Sequence, residues 1–151
     1  ITTDYLAKSI MGIAIAESTK SSDWWRQVGT AIVKDGSVIA VAHNKHLPTD
    51  YHLAVDGDPR SNFNAGERID LTTAIHSEAL AIAQSAKTGT SLNGADAFVS
   101  TFPCPNCARL LAEAGIKTVF YHQGYSLLDA EEILKAYGVE IVLVDLANTS
   151  T

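Results

Sequence analysis

His76-Ser77-Glu78, then Ala95-Asp96-Ala97-Phe98-Val99-Ser100-Thr101, then Pro103-Cys104-Pro105-Asn106-Cys107: these three pieces, in this order, decide how the chain folds. The first piece lies in a helix that runs to about Lys87, with Gly89 as the stop. Thr72 or Thr73 can cap that helix at its start. The middle piece reads as a strand. Pro103 leads into a second helix that ends near Gly115. Helix, strand and helix in immediate succession predict an α/β structure in which the two motifs sit at two helix starts.

The same reading extends outward in both directions. Upstream, Tyr5 to Thr19 carries Leu6, Ile10, Ile13 and Ile15 at roughly helical spacing, and Ser21-Ser22-Asp23 breaks the run. Val28 to Val33 reads as a buried strand, Asp35-Gly36 as a tight hairpin turn, and Val38 to Ala42 as the antiparallel partner. Downstream, Thr118 to Tyr121 is a strand, Leu127 to Tyr137 a helix stopped by Gly138, and Glu140 to Leu146 a last strand. The order α-β-β-α-β-α-β-α-β predicts a three-layer α-β-α structure around a mixed five-stranded sheet. Residues 44–70 differ, being rich in Pro, Asp, Asn and Gly; a loop of that length in a compact domain is functional or flexible. No repeat or linker divides the chain, so one domain over residues 1–151 is expected.

Composition narrows the function classes. Hydrophobic residues make up 46% and charged residues 19% of the chain, as in a globular protein. A net charge of -6 argues against a broad phosphate-binding surface, so no extended nucleic-acid partner is expected, although a local basic pocket can still hold one phosphate. No apolar stretch approaches the roughly 20 residues of a membrane span. The opening ITTDYLAKSI lacks a basic segment followed by an apolar run, so no secretory signal is expected there. The chain has 2 cysteines, three positions apart, which favours metal or redox use over a structural disulfide and a reducing cytoplasm as the location.

The motif residues fit a hydrolytic metal site. Catalytic zinc takes three protein ligands and leaves a fourth position open, and His76, Cys104 and Cys107 supply three. Zinc lowers the pKa of a bound water far below that of bulk water, to around 7. Glu78 is then the spare carboxylate that carries protons between water and substrate. Residues two apart on a helix point to opposite flanks, so His76 and Glu78 can share a site only at the helix end. Cys104 and Cys107 fall at about the N-cap and third positions of the next helix, where the free N–H groups favour thiolate. Read singly, H-x-E is an ordinary helix surface and C-x-x-C a redox dithiol. A structural zinc needs a fourth protein ligand.

H-x-E followed by P-C-x-x-C is the signature of the zinc-dependent nucleobase deaminases, and the chain resembles the cytidine deaminase superfamily over most of its length. Within it the chain looks closest to the deoxycytidylate (dCMP) deaminase branch. Arg26-Gln27-Val28-Gly29-Thr30-Ala31-Ile32-Val33 with its hairpin resembles that branch's first two strands, and Tyr121 to Tyr125 followed by Leu127-Leu128-Asp129 resembles its stretch after the fourth strand. The resemblance implies a cytidine deaminase-like fold, one zinc ion per chain on His76, Cys104 and Cys107, Glu78 as the catalytic acid-base, and a homo-oligomer. It also implies that Asn44, at the strand end, hydrogen-bonds the sugar; taken alone it is a turn asparagine. Gly57-Asp58-Pro59-Arg60 and Gly66-Glu67-Arg68 lie in the long loop. With Arg26, Lys45 and Arg109 they are the basic groups placed to meet a 5′-phosphate, for which a guanidinium fork is suited; each taken singly is a surface ion-pair former. Trp24 and Trp25 suit a pocket cover, an oligomer interface or core packing. The chain departs from the family in having no third cysteine for a second zinc. His43, His46 and His52 stand near that region. Ala42-His43-Asn44-Lys45 replaces the Gly-Tyr-Asn-Gly associated with control by nucleoside triphosphates.

Hydrolytic deamination of a cytosine nucleotide, dCMP to dUMP and ammonia, is therefore the leading expectation. A deaminase of another base is the second: guanine or another purine, or the adenosine of a tRNA, the last disfavoured by the acidic charge. A zinc-stabilised binding protein without catalysis is the third, and an intact Glu78 speaks against it.

Overall fold

The computed structural model describes residues 4–21, 27–46, 74–124 and 128–146. In chain order these form α1 (Tyr5–Ser18), β1 (Gly29–Lys34), β2 (Ser37–His43), β3 (Lys45–His46), β4 (Ala74–Ile75), α2 (Ser77–Thr88), β5 (Asp96–Thr101), α3 (Pro105–Glu113), β6 (Thr118–Gln123), α4 (Leu128–Ala136) and β7 (Glu140–Leu143). Five strands make the main sheet in the order β2-β1-β5-β6-β7. β1 runs antiparallel to both neighbours, whereas β5, β6 and β7 are mutually parallel. The sheet is mixed, as the element order predicts.

Local chemistry explains the antiparallel half. Asp35 and Gly36 both have positive φ (53° and 79°), and Lys34 pairs with Ser37 across them. That is the two-residue turn whose twist matches a hairpin, and Asp-Gly tolerates it best. The parallel half needs crossovers, and α3 and α4 provide them. Both pack on the same face of the sheet as α2, where Ala81, Ala108, Leu111, Ala130 and Leu134 join Ile32, Ala97, Val99 and Val119 in one buried cluster. The opposite face belongs to α1, whose Ala7, Ile10, Met11 and Ala14 meet Ala31, Val33, Phe98 and Val144. Alternate residues of each central strand thus enter different clusters, so β1, β5 and β6 are apolar on both sides. Phe98 and Phe120, register partners on neighbouring strands, stack with centroids 4.2 Å apart.

Two boundaries differ from those the sequence predicts. α2 begins at Ser77 and not directly after Thr72 or Thr73, which lie outside the described residues. Ala74 and Ile75 are instead drawn into a short antiparallel ladder with His46 and Lys45, and His76 becomes the N-cap with extended backbone (φ -68°, ψ 148°). A tertiary pairing has overridden a plausible local cap. β7 ends at Leu143 rather than Leu146; Val144 still donates its N–H to the Tyr121 carbonyl at 2.8 Å, and no strand residue follows it among the described residues. No helix among the described residues is long and apolar enough to cross a membrane.

Candidate active site

The β3–β4 ladder delivers His76 from one side. β5 delivers the cysteines from the other, because its exit through buried Phe102 and Pro103 ends on Cys104, the N-cap of α3. The carboxyl end of a parallel strand, where a helix starts, is the usual place for a site in such sheets. Cys107 lies one turn into α3, and its backbone N–H donates to Cys104 Sγ at 3.4 Å. His76 makes no side-chain capping bond to α2. Its Nδ1 instead lies 3.5 Å from Cys104 Sγ and 3.3 Å from Cys107 Sγ.

These three donor atoms all lie within 4.8 Å of one another and are the only such group among the described residues. Zinc bonds of about 2.3 Å to sulfur and 2.0–2.1 Å to nitrogen, set tetrahedrally, separate N and S by about 3.6 Å. The observed contacts match that spacing, and the His-Cys-Cys donor set suits zinc. The trio can hold a zinc ion with one position left over.

Electrostatics agree with this reading. The Cys107 thiol, then the His76 ring and the Cys107 N–H, hold the Cys104 sulfur down at about 4 against the opposing effect of burial. Sharing with Cys104, burial and the nearby Glu78 carboxylate push Cys107 up. Metal-free protein is therefore expected to be alkylated by iodoacetamide first at Cys104. Its rate should already be near its plateau at neutral pH, where an ordinary thiol of pKa about 8.5 reacts mostly as the slow thiol. Peptide mapping against pH checks this; equal reaction at both cysteines with an ordinary thiol profile would contradict it.

Glu78 sits in the first turn of α2 and is 4% exposed. Burial raises its carboxyl above the ordinary range, opposed by hydrogen bonds from the Ser77 hydroxyl and the residue's own N–H. A buried carboxyl beside a metal-ligand trio is equipped to hold and release a proton.

Three consecutive residues, Val28 just before β1 and Gly29 and Thr30 at its start, tie this region together. Val28 donates its N–H to Asn44 Oδ1 at 3.0 Å, and Gly29 donates to Ser100 Oγ at 3.0 Å. The Thr30 hydroxyl lies 2.8 Å from that of Ser77, which in turn bonds Glu78 Oε1 at 2.7 Å. Asn44 is buried at the end of β2, its own N–H donating to the Val28 carbonyl at 3.1 Å. It stands next to Lys45, the register partner of Ile75, which directly precedes His76.

Ser77, Thr30 and Ser100 are absent from the residues that the sequence singles out. A serine between ligand and carboxylate, and a threonine inside an otherwise apolar strand, were the available signals. His43 is paired with Glu17, Nδ1 to Oε1 at 3.0 Å, and belongs to no metal-holding group among the described residues. Arg109 is exposed on α3. Arg26, Arg60, Arg68, His52, Trp24 and Trp25 lie outside the described residues.

A three-layer α/β fold with a His-Cys-Cys trio and a buried glutamate at two helix starts defines a zinc hydrolase class. The family model described as the cytidine and deoxycytidylate deaminase zinc-binding region matches residues 5–123, and the chain belongs to that family. ComE operon protein 2 of Bacillus subtilis is 32% identical over 120 residues, which are 79% of this chain and 60% of that protein. The deoxycytidylate deaminase of Enterobacteria phage T2 is 26% identical, covering 94% of both chains. Among solved structures, the dCMP deaminase of cyanophage S-TIM5 in complex with dCMP and dUMP superposes with a TM-score of 0.71 at 27% identity, over 95% of this chain and 100% of that one.

Proposed function

We propose that residues 1–151 act as one deaminase domain that hydrolyses dCMP to dUMP and ammonia. The observation that carries this reading is the buried Glu78 carboxyl set beside His76, Cys104 and Cys107 in a chain of this family. The three ligands would hold zinc, which when bound supplies the Lewis acidity that makes water nucleophilic near neutral pH. The remaining work falls to the protein. Glu78 takes a proton from the attacking water and delivers it to N3 of the cytosine ring as oxygen adds at C4. It then carries the second proton to the exocyclic nitrogen, the C4–N bond breaks, and ammonia leaves as the carbonyl of the uracil forms.

Substrate choice rests on the named relatives and on the polar residues that the family resemblance marks. Asn44 is assigned to the sugar. Arg26, Arg60 and Arg68, with Lys45, are assigned to the 5′-phosphate, where bidentate pairing gives both affinity and orientation. The net charge of -6 suits a small nucleotide better than a nucleic-acid strand. We further propose a homo-oligomer working in the cytoplasm, where a reducing milieu keeps both thiols available to the metal.

Ammonia release by zinc-loaded protein across dCMP, CMP, deoxycytidine, cytidine, guanine and adenosine tests the reading. Turnover is expected on dCMP above all others. Alanine at the phosphate-holding arginine among Arg26, Arg60 and Arg68 should raise KM for dCMP about tenfold or more and leave the weak turnover of deoxycytidine unchanged. Turnover confined to a purine would overturn the cytosine assignment, and equal turnover of dCMP and deoxycytidine would remove the arginines from phosphate binding.

A further inference from the structure

Proton transfer through Glu78 needs one carboxylate oxygen, yet the structure binds the other. The contact between the Thr30 and Ser77 hydroxyls is 2.8 Å and that from Ser77 to Glu78 Oε1 is 2.7 Å, with Thr30 and Ser77 both 0% exposed. Either hydroxyl could donate in the first contact, but counting hydrogens leaves one arrangement. An ionised carboxylate only accepts, and a serine hydroxyl has a single hydrogen. Ser77 therefore gives its hydrogen to Glu78 Oε1, and Thr30 must be the donor to Ser77 Oγ. The chain has a direction, from β1 through the first residue of α2 to the carboxylate. Both residues are sealed from bulk solvent.

The location in the fold makes this arrangement stiff. Ser77 opens α2, where no preceding helical carbonyl lies within reach of its hydroxyl, the usual alternative for a helical serine. Thr30 is β-branched, which restricts its χ1, and its strand is gripped on both sides by β2 and β5. The residue before it donates to Ser100 Oγ.

We infer that Ser77 and Thr30 are positioning residues for the deamination: they fix the Glu78 carboxylate in one orientation with Oε1 occupied, and so assign proton exchange with water and substrate to Oε2. The inference rests on Glu78 as the proton carrier. Ser77 acts on the reaction through Glu78, and Thr30 through Ser77.

The test is a set of variants read in two ways: steady-state kinetics on dCMP with zinc content measured, and crystal structures that report the Glu78 rotamer. Ser77→Ala is expected to lower kcat about 10- to 100-fold with KM within about twofold and zinc stoichiometry unchanged. Its Glu78 should occupy more than one rotamer. Thr30→Val, near-isosteric, should lower kcat by a smaller factor, and Thr30→Ser should restore it. The double variant Ser77→Ala/Thr30→Val should be no slower than Ser77→Ala, because the hydrogen bonds among the described residues link Thr30 to Glu78 through Ser77 alone. Wild-type kcat in Ser77→Ala, or a Glu78 rotamer unmoved in both Ser77→Ala and Thr30→Val, overturns the inference. So does a loss in Thr30→Val that Thr30→Ser fails to recover, since it would mark a packing role. Should Ser77→Ala fail to fold, the Thr30→Val and Thr30→Ser pair carries the same test. A parent protein inactive on every nucleotide would count against the deaminase reading alone; the rotamer comparison would still decide the positioning role.

Discussion

Glu78→Gln is expected to lower kcat on dCMP by about a thousandfold or more, with KM and zinc content close to those of the parent. The amide keeps the size of the side chain and offers an oxygen to the Ser77 hydroxyl, which donates to Oε1 at 2.7 Å in the parent. It neither takes up nor releases a proton near neutral pH, so both transfers assigned to Glu78 fail together while the ligand trio is left alone. Stability should move the other way. Burial raises the Glu78 carboxyl against the opposing Ser77 bond, so the folded chain binds this proton more tightly than the unfolded chain. The stability linked to that proton is present at low pH and is lost as pH rises above the unfolded carboxylate value. At neutral pH the group is therefore a net cost in the metal-free protein, and metal-free Glu78→Gln should melt at or above the parent temperature. Calorimetry and ammonia release on the same preparation check the two halves. A variant that turns over dCMP at the parent rate would show that the proton carrier lies elsewhere.

That opposition between stability and activity also marks where the sequence was readable. Asp35-Gly36 announces its hairpin, because two consecutive positive-φ residues are a local requirement that few dipeptides meet. Cys104 and Cys107 fall at the N-cap and third positions of α3, as Pro105 at the first position indicates. Function and helix propensity agree there. They disagree at His76, whose side chain faces two sulfurs and forgoes the capping bond that a threonine would make. A capping rule accordingly places the start of α2 too early, at Thr72 or Thr73. The correction comes from Lys45–His46 pairing with Ala74–Ile75, across nearly thirty residues of chain, and no local pattern reports such a pairing. Ser77 and Thr30 escape for the same reason. Each is unremarkable in its own segment, and their meaning appears only when β1 and α2 are brought within 2.8 Å.

Gly29→Ala is expected to destabilise the protein by about 3–5 kcal/mol, lowering Tm by about 10 °C. The reason is a close approach of two backbones. A methyl on Gly29 would stand 1.9 Å from the Ala14 carbonyl oxygen and 2.8 Å from the Ser18 nitrogen. Those two atoms are four residues apart in α1, the spacing of a helical hydrogen bond, so the added carbon would fall against that bond. No rotamer change relieves a clash with backbone. Either α1 lifts from the sheet or β1 moves. Lifting α1 uncovers Ala7, Ile10, Met11 and Ala14, the apolar layer on that face. Moving β1 strains the Gly29 N–H bond to Ser100 and displaces the neighbouring Thr30 from Ser77. A small-to-large change in a packed interior commonly costs 1–3 kcal/mol, and one that meets immovable backbone belongs at or beyond the top of that range. Thermal denaturation read by circular dichroism, with dye binding to report an undocked α1, gives the outcome. If Gly29→Ala melts within a degree or two of the parent, α1 does not lie against β1 as closely as described. If it melts far lower and also loses turnover at temperatures where it remains folded, the strand that supports the core also holds Thr30 in register with Ser77.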